Sequence, residues 1–131
     1  DAFEKLRDNY QAIMERCRAF DELIYDDAEK AGGKKYAEIC SASYRQVISA
    51  HKLFTDKEGN LLWFSKENNS NGCVNTVDLT YPSAPLFLVY NPELQKAMMT
   101  SIFEYSASGR WNKPFPAHDL GTYPIANGQV Y

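Results

Sequence analysis

Residues 3–24, FEKLRDNYQAIMERCRAFDELI, carry one apolar stripe, and this stripe decides the fold class. The apolar side chains recur at spacings of three and four residues: Phe3, Leu6, Tyr10, Ile13, Cys17, Phe20 and Ile24. That spacing places all of them on one face of an α-helix. Gly32 and Gly33 follow, as glycines often do where a helix ends. The sequence therefore predicts a first helix over about residues 2–28.

A second stripe of the same kind begins just after these glycines. Its members are Tyr36, Ile39, Cys40, Ser43, Val47, Ala50 and Phe54. They predict a helix over about residues 35–54. Because a short glycine-rich link joins the two helices, we expect them to form an antiparallel αα-hairpin.

A third helix is marked by its start signal, Asn91-Pro92-Glu93. Asn is a favoured N-cap, Pro fits the first helical position, and an acidic residue in the first turn interacts favourably with the helix dipole. Apolar residues at helical spacing follow, and Gly109 lies beyond them. Together these features predict a helix over about residues 92–108.

The segment between the second and third helices has a different pattern. TDKEGN at residues 55–60 and NNSNG at residues 68–72 are polar turn sequences, with apolar LLWFS between them. Pro82 and Pro85 exclude a regular central strand, so we expect short strands or extended loops from about Leu61 to Val77. The predicted fold is thus mainly α, a helical hairpin plus a third helix with an irregular β-containing excursion, in a single domain spanning residues 1–131.

Composition and charge exclude several classes of function. A net charge of −3 offers no basic field to attract nucleic acid. The sequence has no run of about 18 apolar residues, the length that a membrane-spanning helix needs. Cys17, Cys40 and Cys73 lack the spacing of metal ligands, and no phosphate-binding glycine loop occurs. We therefore expect no nucleic-acid partner, no membrane span, no metal and no cofactor.

Two carboxylates, Glu67 and Asp78, belong to the polar stretch FSKENNSNGCVNTVD at residues 64–78. Carboxylates on either side of a cleft are what glycoside hydrolysis requires, since one protonates the leaving oxygen and the other acts as base or nucleophile. The alternative is that both residues are loop-capping or solvated groups. At the level of sequence both interpretations stay open.

The turn sequence PAHDLGTYP, residues 116–124, places His118 beside Asp119. A histidine can act as a general base near neutral pH, and an aspartate can orient it. Adjacent residues of an extended chain point apart, however, so these two are not expected to be partners of each other. Asp119 is instead expected to accept backbone N–H bonds within its own turn, where Gly121 permits a tight backbone.

Several other side chains are suited to contact with a substrate. The rings of Trp63, Trp111 and Tyr123 suit stacking on sugar rings, although burial explains aromatic residues equally well. Lys66 and Asn68 suit the donation of hydrogen bonds to an oxyanion formed from an amide. We treat these five residues as candidates for substrate binding.

Three longer stretches resemble the fungal glutaminase A family and its bacterial relatives, many of them known only as domains of unknown function in gut Bacteroidetes. They are LWFSKENNSNG (residues 62–72), TVDLTYPSAPLFLVYNPEL (76–94) and FEYSASGRWNKPFPAHDLGTYPIANGQVY (103–131). The resemblance covers most of residues 34–131. It implies part of an (α/α)6 toroid similar to the six-hairpin glycosidases. It also implies a secreted or periplasmic parent, of which this chain is expected to be a fragment that packs on neighbouring domains of the same parent chain.

The resemblance has two implications for chemistry. The family name implies hydrolysis of the L-glutamine side-chain amide to glutamate and ammonia, whereas the fold implies carbohydrate chemistry. Both implications describe a hydrolase with a small-molecule substrate, glutamine or a sugar. The candidate catalytic residues are Glu67, Asp78, His118 and Asp119. A non-catalytic scaffold domain is the third alternative. The chain alone is expected to be inactive and to expose apolar helix surface that the parent would cover.

Overall fold

The computed structural model describes residues 1–67 and 69–130, which are mainly helical with one small antiparallel sheet. The elements in chain order are α1 (Ala2–Asp8), α2 (Tyr10–Gly32), α3 (Lys34–Ser49), β1 (His51–Thr55), β2 (Leu61–Ser65), α4 (Val77–Tyr90) and α5 (Pro92–Ala107). The predicted fold class, mainly α with a β-containing excursion, is confirmed. The chain divides into two compact units, Asp1–Gln46 and Val47–Tyr131, and the boundary falls within α3. The prediction of a single domain stays a prediction.

The first unit contains the predicted helical hairpin. The single helix expected over residues 2–28 is two helices, because the chain breaks at Asn9, whose side-chain amide donates to the carbonyl of Lys5. Helix α2 then continues to Gly32 and is closed by Gly33, which has a φ of 78°. Two side-chain contacts join α2 to α3. The rings of Phe20 and Tyr44 lie 5.7 Å apart, and Arg45 forms an ion pair with Asp21 at 2.9 Å.

The second helix ends earlier than the sequence predicts. Helix α3 stops at Ser49, and the residues expected to form its last turn are strand β1, which pairs antiparallel with β2. The register joins His51 to Ser65 and Thr55 to Leu61. Asp56 closes the β-hairpin, since its carboxylate accepts from the backbone N–H of Asn60 at 2.7 Å. An apolar stripe at helical spacing predicted the wrong element here because it contains no information on the pairing of β1 with β2, whose partners are more than one helical turn apart in sequence.

Helix α4 was not expected from the sequence, because Pro82 and Pro85 lie inside it. A proline in a helix removes one N–H donor and crowds the preceding turn, at a cost of about 3 kcal/mol. The helix forms nonetheless because its Phe87, only 2% exposed, packs in the core. Tertiary packing therefore outweighs local propensity in this segment.

The core of the second unit joins β2, α4 and α5. Its buried members are Trp63, Phe87, Ala97 and Met98. Asn75 connects β2 to α5 by hydrogen bonds: Oδ1 accepts from the N–H of Ser65 at 2.7 Å, and Nδ2 donates to the carbonyl of Met98 and the hydroxyl of Ser101. This buried amide fixes the segment that leads from β2 into α4.

Helix α4 keeps much apolar surface outside this core. Tyr81, Leu88 and Val89 are 80%, 59% and 71% exposed. Exposed apolar surface of this kind is typical of sites that contact other protein surfaces. No helix in the described part of the chain is both long enough and apolar enough to cross a membrane.

Candidate functional site

Three irregular segments of the second unit run side by side and position the site. The N–H of Val74 donates to the carbonyl of Gly121 at 2.9 Å, and the N–H of Leu120 donates back to Val74 at 2.9 Å. On the other side of this segment, Val74 pairs with Lys66. Because Val77 also donates to the carbonyl of His118 at 2.9 Å, the start of α4 lies beside the histidine.

The turn at residues 119–121 is held by Asp119, as the sequence predicted. Its Oδ1 accepts from the N–H of Gly121 at 2.7 Å. Gly121 has a φ of 93°, in the region that favours glycine. A Cβ at this position would lie 2.4 Å from the carbonyl oxygen of Gly128. Glycine is therefore required here both by conformation and by space.

The second oxygen of the same carboxylate faces the neighbouring imidazole. Oδ2 of Asp119 lies 3.1 Å from Nδ1 of His118. The expectation that these adjacent residues are not partners is therefore wrong. It assumed an extended chain, whereas Asp119 begins a tight turn in which its Oδ1 accepts from Gly121 and its Oδ2 faces the imidazole.

The other nitrogen of the imidazole faces a second carboxylate. Nε2 of His118 lies 3.3 Å from Oδ2 of Asp78, which is in the first turn of α4. The exposed fractions of the three side chains rise in order, 0% for Asp119, 35% for His118 and 71% for Asp78. A buried carboxylate, a half-buried imidazole and an exposed carboxylate thus form one row that reaches solvent. We call these three residues the His118 row.

Three further residues hold this row, and the sequence analysis missed them. Thr76, the N-cap residue of α4, places its hydroxyl 3.3 Å from Nδ1 of His118. The side-chain oxygen of Gln129 accepts from the N–H of His118 at 2.8 Å, and the hydroxyl of Ser106 accepts from the N–H of Ala117 at 3.1 Å. Thr76 had a sequence signal, a favoured N-cap residue before Asp78, which the prolines of α4 obscured. The other two are identified only by the tertiary structure.

Glu67 lies apart from this row in its described contacts. Its carboxylate accepts from the hydroxyl of Ser70, and its backbone N–H donates to the carbonyl of Cys73 at 3.0 Å. These contacts fit the loop-capping interpretation of Glu67, and its catalytic role stays a prediction.

The candidates for substrate binding do not form one group. Lys66 and Tyr123 do meet, since Nζ of Lys66 lies 5.0 Å from the centre of the Tyr123 ring. Trp63 is buried in the core, where its ring stacks on His51 at 5.1 Å. Trp111 packs on Tyr105 and Phe115 and donates its indole N–H to the carbonyl of Phe115. Asn68 lies outside the described residues.

His51, the histidine that stacks on Trp63, is largely buried, and this changes its pKa. Burial lowers the pKa of His51 below its usual value of 6.5, although the hydrogen bond between its Nδ1 and the carbonyl of Val47 opposes this. Its Nε2 is buried with no hydrogen-bond partner among the described residues. Over residues 1–67 and 69–130, no cluster of His, Cys, Asp and Glu side chains is arranged to hold a metal ion.

Comparison with known proteins finds a family model that this chain matches and proteins that are similar to it in sequence. Residues 33–131 match the family model described as the glutaminase A six helical-hairpin domain. Over 128 residues, 97% of this chain, the sequence is 38% identical to glutaminase A of Aspergillus oryzae, and the match covers 18% of that protein. Over 97 residues, 74% of this chain, it is 34% identical to a probable glutaminase of Arthroderma benhamiae, covering 11% of it. The chain thus spans less than a fifth of these relatives' length. No solved structure matches it.

Proposed function

Because this chain belongs to the glutaminase A family of six helical-hairpin domains, we propose that it is part of a secreted or periplasmic hydrolase. The proposed reaction is hydrolysis of the side-chain amide of L-glutamine to glutamate and ammonia. The observation that carries the proposal is the His118 row, in which an imidazole is held between a buried and an exposed carboxylate. The names of both relatives support the substrate, since each is called a glutaminase.

The buried end of the row supplies orientation. Asp119 is 0% exposed, so it does not reach a substrate and acts through the imidazole. When Oδ2 of Asp119 accepts from Nδ1–H of His118, Nε2 is left as the nitrogen that takes up a proton. Asp119 is therefore a positioning residue in this proposal, and His118 is the general base.

The exposed end of the row is where the amide reacts. Nε2 of His118 takes a proton from a water as that water attacks the amide carbon. The tetrahedral intermediate then collapses, and the imidazolium returns the proton to the leaving nitrogen, so that ammonia and a carboxyl group are released. Asp78, 71% exposed beside Nε2, is placed to accept a hydrogen bond from the attacking water or from the substrate's ammonium group.

The test is an assay of ammonia release from L-glutamine by the longer protein that contains this chain. We expect His118→Asn to lower kcat by about 10²- to 10⁴-fold, the usual contribution of general acid–base catalysis. In Asp119→Asn, the amide oxygen still accepts from the N–H of Gly121, but the oxygen that accepts from Nδ1 of His118 is replaced by an NH₂ group. We therefore expect this variant to lower kcat as well. Asp26→Asn, an exposed carboxylate of α2, is the matched control and is expected to leave kcat unchanged.

Two outcomes would replace the proposal. Turnover of aryl glycosides without ammonia release would favour the carbohydrate chemistry implied by six-hairpin folds, with Glu67 and Asp78 as the carboxylates to substitute next. A folded protein with neither activity would favour the scaffold alternative. Cell fractionation tests the location, since a cytoplasmic protein would contradict that part of the proposal.

A further inference from the structure

We propose that the second unit carries a separate binding site for an organic carboxylate with an aromatic or branched apolar body. The site is a cavity of about 340 Å³ beside the β-hairpin of β1 and β2. The lining residues that would contact the ligand are Lys52, Phe54, Phe64, Lys66, Tyr123 and Pro124. No residue of the His118 row lines this cavity, and the mechanism proposed above uses none of its lining residues.

The β-hairpin provides the floor of the cavity because its two faces differ. Side chains alternate along a strand, so one face of the β-hairpin carries His51 and Trp63, which pack in the core. The opposite face carries Lys52, directly paired with Phe64. Phe54 lies on this second face, with its ring 5.4 Å from that of Phe64. The outward face thus combines two aromatic rings with an ammonium group.

The wall opposite the floor comes from the turn after the His118 row. Tyr123 donates its N–H to the carbonyl of Gly72 at 2.9 Å. This bond fixes the turn against residues 72–75, the middle one of the three side-by-side segments, which we call the middle segment. Lys66 reaches over the Tyr123 ring at 5.0 Å, a cation–π contact. The second ammonium group is therefore held at the cavity by an aromatic ring.

The charge of the cavity selects an anion. Its described lining includes two lysines and no carboxylate. Neither Lys52 nor Lys66 forms an ion pair with a described residue, in contrast to Lys96, which pairs with Glu93 at 2.7 Å. The volume lies at the lower end of the range of roughly 300–1,000 Å³ that is typical of small-molecule sites. Apolar walls with two unneutralised ammonium groups fit a carboxylate on an apolar body.

The cavity is distinct from the His118 row because the middle segment separates them. Val74 lines the proposed binding cavity. The next residue, Asn75, lines a smaller cavity of about 120 Å³, whose lining also includes His118. The linings of the two cavities have no residue in common. Ligand binding at one cavity can therefore be measured while the other is altered.

The experiment is a calorimetric titration of the longer protein that contains this chain, with 2-naphthylacetate as the probe and its neutral amide, 2-naphthylacetamide, for comparison. We expect saturable binding of the carboxylate and at least about tenfold weaker binding of the amide, because a charge-assisted contact is lost. Lys52→Met and Lys66→Met each keep an apolar stem and remove the charge, and each is expected to raise Kd of the carboxylate about fivefold to tenfold. Added salt is expected to weaken binding.

Lys57→Met, in the turn of the same β-hairpin and outside the cavity lining, is the matched control and is expected to leave Kd unchanged. The proposal is overturned if the folded protein does not bind the carboxylate, if the amide binds equally well, or if Lys57→Met weakens binding as much as the cavity variants. It is also overturned if the cavity variants lower the stability of the longer protein without any ligand effect, since an acidic segment of the parent would then occupy the cavity. His118→Asn is expected to bind the probe normally, so loss of amidase activity and loss of this site are distinguishable.

Discussion

Nδ1 of His118 lies 3.1 Å from Oδ2 of Asp119, although the two residues are adjacent in the chain. The contact depends on the turn that follows, where Oδ1 of the same carboxylate accepts from the N–H of Gly121. One buried carboxylate therefore shapes the backbone with one oxygen and orients the imidazole with the other.

The tautomer of His118 is the most direct consequence of this contact. We expect neutral His118 to carry its proton on Nδ1, because Asp119 accepts there. In Asp119→Asn the amide oxygen stays on Gly121 and the NH₂ group faces the ring, so the proton is expected to move to Nε2. Nitrogen NMR of the labelled imidazole measures this, with Asp26→Asn as the control. If the native protein and Asp119→Asn have the same His118 tautomer, Asp119 does not orient the imidazole.

Gly121 is predicted to be more sensitive to substitution than another glycine of similar backbone. Gly121 and Gly59 both have positive φ, 93° and 89°, so alanine strains each by about 1–2 kcal/mol. Only at Gly121 would the new Cβ meet backbone, at 2.4 Å from the oxygen of Gly128. Urea unfolding is expected to show Gly121→Ala less stable than Gly59→Ala by a further 1–3 kcal/mol, roughly the cost of overpacking. Equal losses would mean that the clash relaxes without cost.

Asn75 is predicted to be a main source of stability in the second unit. Its buried amide makes hydrogen bonds to Ser65, Met98 and Ser101, and Asn75→Ala leaves their groups unsatisfied. We expect the free energy of unfolding to fall by about 2–4 kcal/mol. Asn75→Gly is expected to remain destabilised too, although glycine suits the φ of 50°. Asn112→Ala, at an exposed position, is the control. Full recovery in Asn75→Gly would assign the effect to the backbone instead.

The stability of the second unit is predicted to fall in mild acid because of His51. Burial lowers the pKa of native His51 below 6.5, so as the pH falls through 6.5 the unfolded chain takes up a proton before the native one does. Stability is then fully present above pH 6.5 and is lost progressively as the pH falls toward the native pKa, by up to about 1.4 kcal/mol per pH unit. Urea unfolding between pH 5 and 8 measures this. His51→Phe is expected to remove that loss. An unchanged slope in His51→Phe would contradict the assignment.

The apolar surface of α4 is predicted to make the chain associate. Tyr81 and Val89 are 80% and 71% exposed on one helix, and contiguous apolar surface of this kind promotes contacts between molecules. The double substitution of Tyr81→Ser and Val89→Ser is expected to lower both dye binding and the sedimenting mass. Ile125→Ser removes an equally exposed residue away from α4 and is the control. A native chain that sediments as a monomer without binding dye would contradict this prediction.

Local patterns in the sequence were sufficient for the elements whose signals are local. The stripe from Phe3 to Ile24, the glycines at its end and the Asn91-Pro92-Glu93 start signal predicted the helical hairpin and α5. Their physical basis is the spacing of neighbours on one helix and the satisfaction of groups at its ends. The bond between Asp119 and Gly121 was equally predictable, because both partners lie within one turn. The resemblance of residues 34–131 to glutaminase A was also present in the sequence alone.

The tertiary structure alone decided the elements that depend on distant partners. Helix α4 forms across Pro82 and Pro85 because Phe87 reaches the core, and the end of α3 gives way to β1 because β2 is available to pair. The site follows the same rule. Asp78 and His118 are 40 residues apart in number, and they meet because Val77 pairs with His118 through backbone groups that every sequence possesses. Such pairing leaves no local pattern, since its energy comes from contacts that form only when the whole unit has folded.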